Sequence, residues 1–223
     1  RVMGIAQAGI VFRPLEPLVD IESFVSGLFG TKVVQIEHPD IGQFDIRNPG
    51  DVMVQRFEDV YFVCNNDLVW DLLEFPQTDV TQTYRRLGSP QLFMAFCHYD
   101  SGGSYGYAFF ENGKRTRSRL QTVGNAHRQP LIEYGAEKDF ERNWLSANFY
   151  LEEDDCPREE WQKIYFQGNR EIEVPEYFLT KRILEEGMVG NFGVCPWDTN
   201  LEPSCYFFKA MEKKRHWWQF WKD

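Results

Sequence analysis

Apolar positions in the first ninety residues change period several times, and each change marks an element. Gly4 to Phe12 is apolar at almost every position, which predicts a buried strand. From Pro17 to Phe29, Leu18, Ile21, Val25 and Leu28 recur at helical spacing, and Pro17 suits a first turn, where a missing N–H breaks no bond. Gly30 supplies the stop. Val33 to Ile36 reads as a short second strand, and Pro39, Gly42, Pro49 and Gly50 break His38 to Gly50 into loop. Val52 to Phe57 and Val60 to Cys64 form two more strands around Glu58-Asp59. Asn65 or Asn66 caps a helix to Glu74 with Leu68, Leu72 and Phe75 on one face, and a second helix runs from Asp79 to Leu87, ended by Gly88. The expected order is β-α-β-β-β-α-α, its first three elements forming a parallel crossover unit.

The middle of the chain has the clearest strand pattern. Leu92 to Cys97 is apolar on both alternating faces, as a central strand covered on each side requires. Tyr105 to Glu111 and Lys114 to Thr122 flank Asn112-Gly113, a dipeptide suited to the two positive-φ positions of a type I′ turn. Residues 91–122 are therefore an antiparallel meander. A two-residue turn sets its register: Glu111 opposite Lys114, Phe110 opposite Arg115, Ala108 opposite Arg117, Gly106 opposite Arg119. Tyr105, Tyr107 and Phe109 then share a core face with Thr116, Ser118 and Leu120. Arg115, Arg117 and Arg119 line the other face at intervals of roughly 7 Å.

Beyond Val123 the pattern fades. Gly124 to Asn148 reads as irregular, and the acidic run from Glu152 to Glu160 as a solvated loop or helix start. Pro175 to Met188 predicts a helix and Tyr206 to Phe208 a last strand. The fold class is α+β: a mixed, largely antiparallel sheet with an N-terminal β-α-β unit, a central three-stranded meander and helices packed on the sheet. Residues 1–208 form the single expected domain and 209–223 a separate tail.

Composition narrows the functional classes. The 223 residues are 43% hydrophobic and 16% aromatic, enough to pack a core and unlike a disordered chain. A net charge of -10 argues against general nucleic-acid affinity, which needs a concentrated positive surface. No run approaches the roughly 18 to 20 apolar residues of a membrane span, and Arg1-Val2-Met3-Gly4 does not begin a signal peptide. The five cysteines are widely spaced without a C-x-x-C, and the four histidines are scattered, so the expectation is a cytoplasmic protein without metal or other cofactor.

Three groups of residues carry candidate chemistry. His98, Tyr99, Asp100, Ser101 and Ser104 cluster where the central strand enters a loop, and His, Asp and Ser are the parts of an acyl-transfer triad. No G-x-S-x-G elbow presents the serine, and Ser101 to Ser104 is also a turn of small residues. Arg115, Arg117 and Arg119 form a basic groove for a carboxylate or phosphate, or are solvated or neutralised by the 152–160 run. The tail, Lys209 to Asp223, has five basic residues against two acidic ones. Trp217, Trp218 and Trp221 crowd its end, as an anchor on anionic lipid, a docking peptide, or a cover folded back on the domain.

Asp59 to Asn65, Ser104 to Gly113 and Arg117-Ser118-Arg119-Leu120 together resemble a bacterial family of unknown function that pairs a "vvc" strand with an "fgfavw-x-dG-x-x-x-Rsl" hairpin. Pro130-Leu131, Phe140-Glu141 with Trp144, and Leu184 to Gly193 fall where that family places similar pieces. The acidic run and the aromatic tail depart from it. The resemblance implies a bacterial cytosolic protein with one continuous domain, and it transfers no catalytic residue. The reading that results is a binding or regulatory module acting on an unknown protein or a small anionic ligand. The alternative is an enzyme of unrecognised class with His98, Asp100 and Ser101 at its site.

Overall fold

The computed structural model describes residues 6–37, 39, 42–123 and 130–211. The chain opens with β1 (Ala6–Phe12), α1 (Ile21–Phe29), β2 (Val33–Ile36), β3 (Asp51–Phe57) and β4 (Val60–Cys64). Two short helices follow, α2 (Trp70–Glu74) and α3 (Thr81–Arg86), and then the meander β5 (Leu92–Tyr99), β6 (Ser104–Glu111) and β7 (Lys114–Gln121). The second half holds β8 (Leu131–Tyr134), α4 (Asp139–Leu145), β9 (Asn148–Glu152), β10 (Gln162–Gln167), β11 (Ile172–Pro175), α5 (Leu179–Phe192) and β12 (Ser204–Ala210).

Nine strands form one sheet in the order β2-β12-β3-β4-β1-β5-β6-β7-β8, and β11-β10-β9 form a second. Every pairing among the described residues is antiparallel. The architecture is α+β, with helices on both faces of the large sheet. On one face Phe24 of α1 meets Phe12 at 5.7 Å between ring centroids, and α2 lies over β5, β6 and β7. On the other, Phe140 of α4 packs on Tyr107 and Phe109 at 6.2 and 5.5 Å, and α5 lies over β6 and β7. Coverage on both sides explains why Phe93 to Tyr99 and Ser104 to Phe110 are buried at every position, as their unbroken apolar pattern requires.

Several expectations are corrected. The first three elements are not a crossover unit. β1 pairs with β4 and β5, while β2 sits at the sheet edge beside β12, because β12 inserts between β2 and β3. Helix α1 starts at Ile21 rather than Pro17, because the Asp20 carboxylate caps it by accepting the Ser23 N–H at 2.9 Å. The stretch read as irregular contains β8 and α4, and β9 to β11 follow it. The acidic run ends β9 at Glu152 and makes one 3-10 turn at Arg158–Glu160. The tail begins later than 209, since Lys209 and Ala210 belong to β12 and pair with Val34 and Val33.

The most consequential correction is in the hairpin. Asn112 and Gly113 take φ of 48° and 74°, as the turn demands, and Glu111–Lys114 and Phe110–Arg115 pair as expected. A β-bulge then takes up Thr116, so that Phe109 faces Arg117, Ala108 faces Ser118 and Tyr107 faces Arg119. One extra residue flips every later side chain to the other face. Arg115 stays with Phe110, while Arg117 and Arg119 turn under α4 and α5. The bulge rests on Gly135, where an added Cβ would lie 2.1 Å from the Thr116 carbonyl oxygen.

Candidate functional site

The polar chemistry of the fold collects between the β5–β8 end of the sheet and helices α4 and α5. Arg117 is 3% exposed and donates to acceptors on three sides: Nε to both Glu141 carboxylate oxygens at 2.8 and 3.1 Å, Nη1 to the Gly135 carbonyl at 3.1 Å, and Nη2 to Glu133 at 2.7 Å. Glu141 is fully buried and also accepts from the Tyr107 hydroxyl and the Lys138 backbone N–H, which places it at the third position of α4. Arg119, 6% exposed, gives Nε to Thr180 at 2.9 Å and Nη1 to the same Glu133 oxygen at 2.7 Å.

Two nearly buried guanidinium groups thus neutralise two carboxylates, one fully buried (Glu141) and one partly exposed at the rim (Glu133), and hydrogen-bonded pairing offsets the cost of burying charge. Burial raises Glu133, but hydrogen bonds from Arg117 and the charge of Arg119 more than offset it and hold the carboxyl below its usual range. Burial first, and Glu141 second, push the Tyr107 hydroxyl well above its usual value, so it stays a donor.

Next to this network lies His98, with no solvent exposure, its ring 4.5 Å from Trp197 and 5.2 Å from Tyr105. Its Nε2 is 3.7 Å from Glu185 and 3.9 Å from Asp100, and neither ring nitrogen makes a hydrogen bond to a described residue. Asp100 accepts from Tyr105 at 3.0 Å and Lys181 at 3.3 Å, and Glu185 accepts from the Trp197 indole at 3.0 Å. Burial raises Glu185, yet the facing His98, the indole N–H and the Lys181 ammonium together hold it below the usual carboxylate range. A pocket of about 170 Å³ opens beside Lys181 and Glu185.

A larger cleft, of about 620 Å³, lies where β7 and β8 meet β10 and the start of α5. Arg119 and Gln121 reach it from the large sheet, Trp161, Tyr165 and Tyr177 give it aromatic surfaces, and Glu159, Glu160 and Glu176 bring carboxylates. Both polar ends of Gln121 are engaged, with Thr180 and with the Glu176 carbonyl. Arg119 is not saturated, because its Nη2 makes no hydrogen bond to a described residue while the rest of the side chain is held in place. It is a nearly buried donor on a residue that lines the cleft.

The candidate residues therefore separate. Arg115 lies on the opposite face, its guanidinium 4.7 Å over the Phe110 ring, with none of its nitrogens hydrogen-bonded to a described residue and burial pulling it below its usual value. Arg117 is consumed by Glu133 and Glu141, so the three-arginine groove does not form, and the partners come from β8 and α4 rather than the acidic run. His98 and Asp100 do approach each other. Ser101 is exposed in the turn, and Ser104 pairs with Tyr99 on the other face, its Oγ 3.4 Å from the Gly102 carbonyl. Trp217, Trp218 and Trp221 lie outside the described residues. Glu133, Glu141, Lys181, Glu185 and the cleft aromatics were not selected from sequence: β8 and α4 lie in the stretch read as irregular, the cleft aromatics lie in short or mixed segments, and the spacing of α5 shows a helix without showing which of its polar residues meet His98. No family model, no curated protein and no solved structure matches the chain.

Proposed function

We propose that this chain is a binding module whose contact site is the cleft between β7, β8, β10 and the start of α5. The observation that carries this reading is Arg119, a nearly buried guanidinium held by Thr180 and Glu133 that lines a cleft walled by Trp161, Tyr165 and Tyr177. Such a cleft suits a segment of a partner that presents a carbonyl or carboxylate to Arg119 and basic groups to Glu159 and Glu160. A free phosphate fits less well beside those carboxylates. The bacterial, cytosolic setting implied by the resemblance is part of the same proposal, and the five free cysteines support a reducing compartment. Among the described residues no helix is long and apolar enough to cross a membrane.

The second reading, a proton-transfer enzyme at the loop end of the meander, draws on His98 lying between Asp100 and Glu185 beside Lys181. One titration separates the two. Isotope-labelled protein is mixed with charge-sorted peptide pools and, separately, with a small-metabolite pool, and amide NMR shifts are followed. We expect shifts at residues 159–165 and 176–179 with basic peptides, weakened about tenfold by Tyr177→Ala at the exposed rim. Shifts confined to His98, Lys181 and Trp197 with metabolites would replace the binding reading, and no shift at the cleft with any pool would end it.

A further inference from the structure

We infer that the cleft takes the basic–aromatic segment 212–223 of a second copy of this chain, so that the protein self-associates by tail exchange. The inference rests on the binding reading and names its occupant.

Charge is the first argument. Lys213, Lys214, Arg215 and Lys222 outnumber Glu212 and Asp223, so this segment is net +2 in a chain of net -10, and Trp217, Trp218, Phe220 and Trp221 fall within it. The cleft carries the complement. Glu159 and Glu160 make no ion pair with a described residue, and Glu176 shares its carboxylate only with Lys163 at 3.4 Å. Arg158 already lies 5.9 Å over the Trp161 ring, an arrangement that shows this aromatic wall accepts a guanidinium. Arg119 supplies a donor for a main-chain carbonyl or for a carboxylate of the same segment.

Reach favours another copy's segment over the chain's own, because most of the chain's own segment is too short to lie in the cleft. Met211 leaves the sheet beside Lys32, to whose carbonyl its N–H donates at 2.9 Å, next to edge strand β2. The cleft lies at the opposite edge. From β12, six inter-strand spacings lead to β7 and seven to β8 in the order of the large sheet, roughly 29 to 34 Å. The seven residues from Met211 to Trp218 span at most about 25 Å fully extended, and only from about Trp221 onward does the extended chain match that distance. The basic cluster Lys213, Lys214 and Arg215 and both Trp217 and Trp218 therefore fall short of the cleft of their own chain, which only the last residues, fully extended, could touch. A second copy has no such limit, and a reciprocal exchange closes a two-fold dimer.

The test uses the full chain and a full-length variant, Trp217→Ser with Trp218→Ser, which leaves every described element intact. Sedimentation velocity should show the full chain associating with rising concentration and the variant remaining a monomer. A fluorescent synthetic peptide of residues 212–223, titrated into the variant, should bind and raise its anisotropy. Binding should weaken about tenfold on adding Glu160→Gln with Tyr177→Ala, and several-fold as salt rises to 1 M, where the Debye length shrinks to about 3 Å. A full chain that stays monomeric overturns the inference, as does peptide binding indifferent to the cleft substitutions. Peptide captured by anionic vesicles and not by the variant overturns it in favour of a lipid surface. If the tail peptide fails while basic peptide pools still shift cleft residues, only this inference falls; if both fail, the binding reading falls with it.

Discussion

Glu141 is a carboxylate with no exposure, and its place in the fold depends on every neighbour that donates to it. Arg117 supplies two of those bonds, Tyr107 a third and the Lys138 N–H a fourth. Removing one partner of such a pair leaves the other charge buried without compensation, which costs about 3 to 5 kcal/mol. Replacing both by apolar groups of similar volume removes the desolvation problem together with the attraction, and is often close to neutral. We therefore expect Arg117→Met to lower the unfolding free energy by about 3 to 5 kcal/mol, and Arg117→Met with Glu141→Leu to recover most of that loss. Urea unfolding of the three proteins measures it. A double variant less stable than the single one would show that the pair is worth more than its desolvation penalty. Arg115 makes the opposite case at the same scale: its sequence spacing matches that of Arg117 and Arg119, yet it lies across the sheet with Phe110 as its nearest support.

At the level of elements, one bulge decides which arginines become interior. Period-two reading carried the meander correctly through Phe110–Arg115 and failed beyond it, because nothing in Thr116 itself marks an inserted residue. The signal was non-local: Gly135, which accepts the Thr116 carbonyl against its Cα, lies nineteen residues further on in a stretch read as irregular. Strands with long apolar runs, β3 to β6, were legible because covered strands repeat no polar face, and α5 was legible from its helical spacing. By contrast β8, β9 and β11 have four or five residues each, mostly exposed or half-buried, and such short mixed runs fit several templates at once. The cleft is lined mainly from the short turns at 158–160 and 176–178 and from β10, segments as short and as mixed in polarity, so its residues were hidden in the same way. Gly135→Ala tests the bulge support. The position has φ of 78°, which costs a side chain about 1 to 3 kcal/mol, before the contact with the Thr116 carbonyl is counted. We expect a stability loss above that range and weakened hydrogen-exchange protection along β7 and β8. A loss under about 1 kcal/mol would mean that the bulge does not depend on this glycine.

For the whole molecule, pH should bound stability on two sides. On the acid side, Glu133 is held below the ordinary value of 4.5 by Arg117 and Arg119 against the opposing effect of burial, and Glu185 by His98, Trp197 and Lys181. Glu111 is lowered chiefly by its hydrogen bond from Lys138. A carboxyl whose folded pKa is depressed contributes stability that is present above its unfolded value and lost as pH falls through the folded one. These contributions should therefore start to disappear below pH 4.5 and continue to fall until the lowered values are passed. On the alkaline side, burial pushes the Cys64 and Cys195 thiols from 9.0 up to about 12, and raises the Tyr107 hydroxyl well above its usual value. A group with a raised folded pKa contributes stability present below its unfolded value and lost as pH rises through the folded one. The melting temperature should therefore be nearly flat between pH 4.5 and 9.0 and fall on both flanks, with differential scanning calorimetry as the measure. Glu133 is the discriminating residue, because one of its oxygens serves both Arg117 and Arg119. Glu133→Gln should lower the plateau and flatten the acid flank together, since it removes a group whose charge stabilises only above its own titration. An acid flank as steep in Glu133→Gln as in the parent would place the acid sensitivity elsewhere, with Glu185 beside His98 the next group to substitute.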